Sequence, residues 1–206
     1  MKKVFFLGLC LSLFAAQANA DDWYGSISAI IGKNRDKDNI TRKGEIKGVS
    51  LTSDGAEIGL GTYLTPDMRG ELSLNYFVGK KGYFLKSQEA TGHIKLKHES
   101  YSLLFNSYYD FNNHTMAVPY VMAGLGYANN KINIKYSEYE MSKTQTDQGK
   151  LFGSKKGLTW QLGAGIDMKA AEDLKIGIGY RFRDTNTSGK KLNQYHMVLA
   201  NIKMDF

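Results

Sequence analysis

His98, Glu99 and Ser100 set an imidazole and a hydroxyl two residues apart. On an extended chain that spacing turns both side chains to one face. A histidine so placed can take the hydroxyl proton and create a nucleophile, provided that an acid orients the ring. No third member of such a triad can be placed in the sequence, so the spacing alone predicts no enzyme. His93, His114 and His196 are scattered and show no metal-ligand spacing. Four glycine pairs, Gly59/Gly61, Gly124/Gly126, Gly163/Gly165 and Gly177/Gly179, superficially suggest phosphate-binding turns. None has the third glycine at the required spacing, and each lies inside an alternating segment rather than before a helix. The expectation is therefore no catalytic residue, no metal and no cofactor.

The charged residues fall into two groups. Lys80-Lys81, Lys155-Lys156 and Lys190-Lys191 are paired cations in polar stretches. Such pairs attract anions, and these six are the candidate ligand-binding residues. Glu57, Glu71, Asp167, Lys175, Arg181, Lys203 and Asp205 instead alternate with apolar residues. They are candidates for an interior ion network with a structural role.

The elements that must position them begin after residue 20. Lys2 and Lys3 precede an apolar run from Val4 to Ala16, and Ala18-Asn19-Ala20 supplies small residues for cleavage. Residues 1–20 read as a secretory signal peptide, cut before Asp21. The Leu7-Gly8-Leu9-Cys10 stretch resembles a lipoprotein signal only faintly, because Cys10 lies within the apolar run. Residues 21–206 form one domain with no cysteine, so packing and hydrogen bonds hold it.

This domain alternates with period 2, the signature of strands. Leu158, Trp160, Leu162, Ala164, Ile166 and Met168 oppose Thr159, Gln161, Gly163, Gly165 and Asp167. Leu174, Ile176, Ile178, Tyr180 and Phe182 oppose Lys175, Gly177, Gly179, Arg181 and Arg183. Six further segments follow the rule, starting near Trp23, Ala56, Leu72, Tyr101, Val121 and Val198. Short connections occur at Thr65 to Met68, Asn112 to Ala117 and Lys169 to Asp173. Long loops are expected over Lys33 to Ser53, Gly79 to Glu99, Ala128 to Gly157 and Arg183 to Gln194. Eight strands with alternating short turns and long loops predict an antiparallel up-and-down transmembrane β-barrel in a Gram-negative outer membrane. The long loops are then extracellular and both termini periplasmic.

The apolar face should meet hydrocarbon, since a closed barrel satisfies its backbone within the bilayer. The opposite face carries the charged network, and its glycines make room for neighbouring Arg, Tyr and Gln. An eight-stranded interior is just wide enough for side chains. Trp23, Tyr76, Tyr109, Phe111, Tyr127, Tyr180 and Phe182 near strand ends fit interfacial girdles.

Leu104-Phe105-Asn106-Ser107-Tyr108-Tyr109-Asp110-Phe111 and Pro119 to Tyr127 resemble the central strands of opacity-type surface antigens. Gln161 to Gly165 and Gly179 to Phe182 continue the likeness, which extends to OmpX-like barrels and to rickettsial adhesin-type barrels. The terminal strand, with Ile202, Met204 and Phe206 on one face, resembles the signal read by the barrel-assembly machinery. The resemblance implies a surface protein and carries over no active site. In such a barrel the four long segments hold 20 basic and 9 acidic residues. The expected function is adhesion through basic extracellular loops to a host-surface receptor or acidic glycan. Outer-membrane lipid and lipopolysaccharide are expected partners, and nucleic acid is not. The alternatives are a small porin-like channel or structural protein. His98 and Ser100 also resemble the His-x-Ser of outer-membrane lipid A deacylases, a more remote reading.

Overall fold

The computed structural model describes residues 23–35, 50–86, 90–113, 115–140, 147–187 and 190–206. Eight strands follow in order: β1 (Trp23–Arg35), β2 (Ser50–Thr65), β3 (Met68–Lys86), β4 (Ala90–Asp110), β5 (Ala117–Glu140), β6 (Asp147–Lys169), β7 (Leu174–Thr187) and β8 (Lys190–Asp205). Each pairs antiparallel with its sequence neighbours, and β1 pairs with β8, closing a barrel. At the seam Tyr24 lies opposite Asp205 and Arg35 opposite Gln194. The Phe206 N–H donates to the Trp23 carbonyl at 2.9 Å.

Alternation decides what each side of the wall meets. On β1, Ile27 is 66% exposed, and on β7 Ile178 is 58% exposed. Trp160 also faces outward, whereas Glu57 and Gln161 are buried in the lumen. Only hydrocarbon gives an outer face of this kind a favourable environment. The chain crosses the membrane through its strands.

The short connections lie at one end with the strand termini. The β2–β3 turn is braced by Asn112, whose Nδ2 donates to the Pro66 carbonyl at 2.5 Å and to Asp67 Oδ1 at 2.8 Å. Ala170 N–H donates to the Leu174 carbonyl at 2.8 Å in the β6–β7 turn.

The opposite end differs from the sequence expectation. Much of the segments expected as loops at Gly79 to Glu99 and Ala128 to Gly157 is strand. β3 pairs with β4 as far as Lys86 opposite Thr91. β5 pairs with β6 as far as Glu138 opposite Asp147. The cause is that a ladder needs backbone partners and alternation, not greasiness. Ile132 and Ile134 alternate with Asn and Lys, and both rungs stay paired. The expected loops at Lys33 to Ser53 and Arg183 to Gln194 also contain strand ends, while residues 36–49 and 188–189 lie outside the described residues.

A bilayer-crossing strand needs about 9–11 residues. β3, β4, β5 and β6 have 19, 21, 24 and 23. These four strands therefore continue beyond the barrel as one paired sheet. The described β2–β3 register stops at Ser53 opposite Gly79, and the β6–β7 register at Leu158 opposite Asn186. Among the described residues, β3 beyond Gly79 and β6 before Leu158 are the edges of this projecting sheet.

Candidate functional site

The lumen is built in levels. Nearest the short turns, Lys175 Nζ meets Asp205 Oδ2 and the Tyr63 hydroxyl, both at 2.7 Å. Next, Arg69 bridges two strands: its Nε donates to Asp110 Oδ2 and its Nη2 to Asp167 Oδ2, both at 2.9 Å. Lys203 also pairs with Asp167. The Arg69 guanidinium sits 4.2 Å from the centre of the Tyr108 ring. One level further, Arg181 Nη1 grips both oxygens of Glu57 at 2.9 and 2.8 Å. Glu71 accepts from Ser26 and Tyr108 at 2.9 Å each. Above these, Arg183 binds Gln161 Oε1, Asn75 Oδ1 and Ser102 Oγ at 2.7, 2.9 and 3.1 Å. These bonds join strands across the axis, so the interior is occupied by interlocked side chains.

The inward glycines set this geometry. A Cβ on Gly59 would lie 2.8 Å from the Glu71 carboxyl carbon. On Gly163 it would meet the Tyr180 carbonyl at 2.7 Å and Arg181 Cγ at 2.8 Å. The absent side chains are the space that the ion pairs occupy.

All seven residues expected in the ion network line this lumen, with Lys175 and Asp205 half-buried at its mouth. Sequence reasoning did not place Arg69, Asp110 and Arg183 in that network. The signal was present: Arg69 continues the alternation of Glu71, Ser73 and Asn75, and Asp110 that of Asn106 and Tyr108. The expected polar and glycine-rich interior needs one correction. Ile30, Phe77, Tyr195, Met197 and Leu199 form a buried apolar cluster toward the long-strand end. Ile30 interrupts a regular face and is invisible to a rule that sends every isoleucine outward.

The basic pairs lie on strands, not loops. Lys80 sits opposite Lys97 and Lys81 opposite Leu96. Lys155 sits opposite Asn130 and Lys156 opposite Asn129. Lys190 and Lys191 pair with Thr187 and Asn186 at the start of β8. Lys80 and Lys156 are exposed. The side chains of Lys81, Lys155, Lys190 and Lys191 fall outside the described residues.

The family model for the outer membrane protein β-barrel domain matches residues 6–206. The chain belongs to this outer-membrane β-barrel family. A Rickettsia felis protein described as "Putative adhesin" is 27% identical over 192 residues, covering 89% of this chain and 81% of that protein. The outer membrane protein PagN of Salmonella typhimurium is 27% identical over 105 residues, half of this chain and 42% of that one. Among solved structures, Neisserial surface protein A superposes with a TM-score of 0.57 at 16% identity, covering 89% of this chain and 97% of that chain. That likeness concerns the fold.

In this outer-membrane barrel the His98 and Ser100 side chains are both buried in the lumen. The Tyr195 hydroxyl lies 3.1 Å from His98 Nδ1. An imidazole and hydroxyl turned inward cannot reach an acyl ester lying along the outer wall. Among the described residues no three metal-type side chains converge.

Proposed function

We propose that the protein is a surface adhesin, anchored by its barrel and binding anionic host-surface groups through the projecting β3–β6 sheet and its basic pairs. In this reading residues 1–20 are the signal peptide, the long-strand end is extracellular, and the exposed Phe206 engages the barrel-assembly machinery. The observation that carries it is the length of β3–β6, which lifts Lys80-Lys81 and Lys155-Lys156 beyond the membrane on the free edges of one sheet. A cationic rim of this kind attracts acidic glycans. The rickettsial relatives described as adhesins support the same reading. The interlocked lumen supports a role outside the axis rather than transport through it, and the reading assigns no catalysis.

The test is binding of cells expressing the protein to host cells and to immobilised heparin. Replacing Lys80, Lys81, Lys155, Lys156, Lys190 and Lys191 with glutamine should lower binding at equal surface display. Binding that survives all six replacements would remove the proposal.

A further inference from the structure

A side-chain contact crosses the barrel axis beyond the ion network. His98 lies on β4, and the Tyr195 hydroxyl, 3.1 Å from its Nδ1, lies on β8. These two strands are not neighbours in the barrel. β4 belongs to the projecting sheet and β8 to the short wall, so the contact ties one to the other. His98 stands three residues beyond Tyr101, which packs on the girdle residue Tyr76 with ring centres 4.8 Å apart. That is about 10 Å along the strand, outside the membrane-spanning part of β4. The ring is nevertheless only 3% exposed.

The apolar cluster separates His98 from the charges below it. Tyr195 stacks on Phe77 with ring centres 6.2 Å apart, and the Arg183 guanidinium sits 5.1 Å from the centre of the Phe77 ring. Among the described residues, the groups around His98 offer no counter-ion to a proton. On β3 they are Phe77 and Gly79, on β5 Asn130 and Ile132, and level with these on β2 is Ser53. β8 contributes Tyr195, and β7 the cation Arg183. Asn130 Oδ1 is buried without a partner, but it is a neutral acceptor. The carboxylates are engaged elsewhere. Glu99 turns outward from the same strand to Lys97 and Tyr76, Glu57 is held by Arg181, and Asp184 stands opposite Trp160.

A neutral imidazole is satisfied by Tyr195. An imidazolium adds a buried charge at the same end of the lumen as Arg183, with no acid to offset it. Burial accordingly holds the His98 ring below its ordinary value of 6.5, and the Glu99 carboxylate opposes this to a lesser degree. The closed arrangement thus binds fewer protons than an opened one. Its stability is full above about pH 6.5 and falls as the pH drops below that value.

We propose that His98 is an acid-responsive latch at the long-strand end of the barrel. Neutral, it holds the projecting sheet against the short wall over the apolar cluster. Protonated, it swings toward water, the tie between β4 and β8 parts, and Ile30, Phe77, Tyr195, Met197 and Leu199 become exposed. No host ligand enters this device, so it stands or falls apart from the adhesion reading.

The test is amide hydrogen exchange of the refolded barrel in micelles at pH 7.5 and 5.0, corrected for the intrinsic pH dependence of exchange. With an opened ring titrating near 6.5 and a closed ring below about 5, opening rises about thirtyfold between the two conditions. Faster exchange is expected at Phe77 to Gly79 and at Tyr195 to Leu199, while the membrane-spanning amides of Leu162 to Ile166 stay unchanged. His98→Gln, which does not titrate, should exchange slowly at both pH values, and His196→Gln should respond like the unaltered protein. Heat-modifiable gel migration checks folding, and His98→Asn takes the place of a glutamine variant that does not fold. Absence of a pH response in the unaltered protein would overturn the proposal, as would a response that persists without His98 or is lost in His196→Gln.

Discussion

Removing Arg181 from the lumen should cost more than any single surface change, because it strands Glu57. The pair is bidentate, with side chains 3% and 1% exposed. In Arg181→Met the stem is kept and the guanidinium lost. Among the described residues the Glu57 carboxylate then keeps a long hydrogen bond from the Ser28 hydroxyl at 3.5 Å and the electrostatic influence of Arg183, but no ion pair in contact with it. Breaking a buried pair by deleting one partner costs about 3–5 kcal/mol. The Tyr108 hydroxyl, which receives Arg181 Nη2 at 3.2 Å, loses a partner as well. Replacing both residues, Glu57→Leu with Arg181→Met, removes the uncompensated charge. The double variant should therefore be more stable than Arg181→Met, with a coupling of about 2 kcal/mol or more. The assay is urea unfolding of the refolded barrel in micelles, followed by heat-modifiable migration and by fluorescence of the two tryptophans. A loss below about 1 kcal/mol for Arg181→Met, or strict additivity in the double variant, would refute the desolvated-pair account.

Two further outcomes test the wall and the packing inside it by the same unfolding assay. Gly163→Ala should destabilise by about 1–3 kcal/mol, since its Cβ meets a backbone carbonyl that cannot swing aside; an unchanged midpoint would show that the lumen has slack. Ile178→Lys places a charge on the lipid face and should cost about 2–4 kcal/mol near the midplane. A neutral result there would mean that water, not hydrocarbon, wets this wall.

The barrel was legible because its solvent is inverted. Period 2 with isoleucine and leucine on one face and Glu57, Gln161 and Arg181 on the other has no other economical burial. The projecting sheet was not legible, because Lys, Asn, Ser and Gly in β5 and β6 resemble loop composition, and only register shows that they stay paired. The apolar cluster at Ile30 and Met197 was hidden for a related reason. Alternation assigns faces, but it does not say that one end of a polar lumen carries a buried apolar cluster. The ion network was readable residue by residue, though not as pairs: nothing in the chain says that Arg181 reaches Glu57 rather than Glu71.

The lysines answer to three different demands, and strand position separates them. Lys80-Lys81 and Lys155-Lys156 lie on edge strands of the projecting sheet, where charge also blocks pairing with another chain. Their presence is therefore explained even if they bind nothing. Lys97 and Lys131 lie on β4 and β5, which are paired on both sides along the described registers. Edge protection cannot account for them, and two-sided pairing would be satisfied by threonine or glutamine at less electrostatic cost. Each instead has a partner on its own wall: Lys97 meets Glu99 at 2.8 Å, and Lys131 Nζ lies 5.6 Å from the centre of the Tyr101 ring. The edge lysines are the ones left to meet a host surface, so replacing Lys80, Lys81, Lys155 and Lys156 with glutamine should lower binding to host cells, while replacing Lys97 and Lys131 should leave it unchanged.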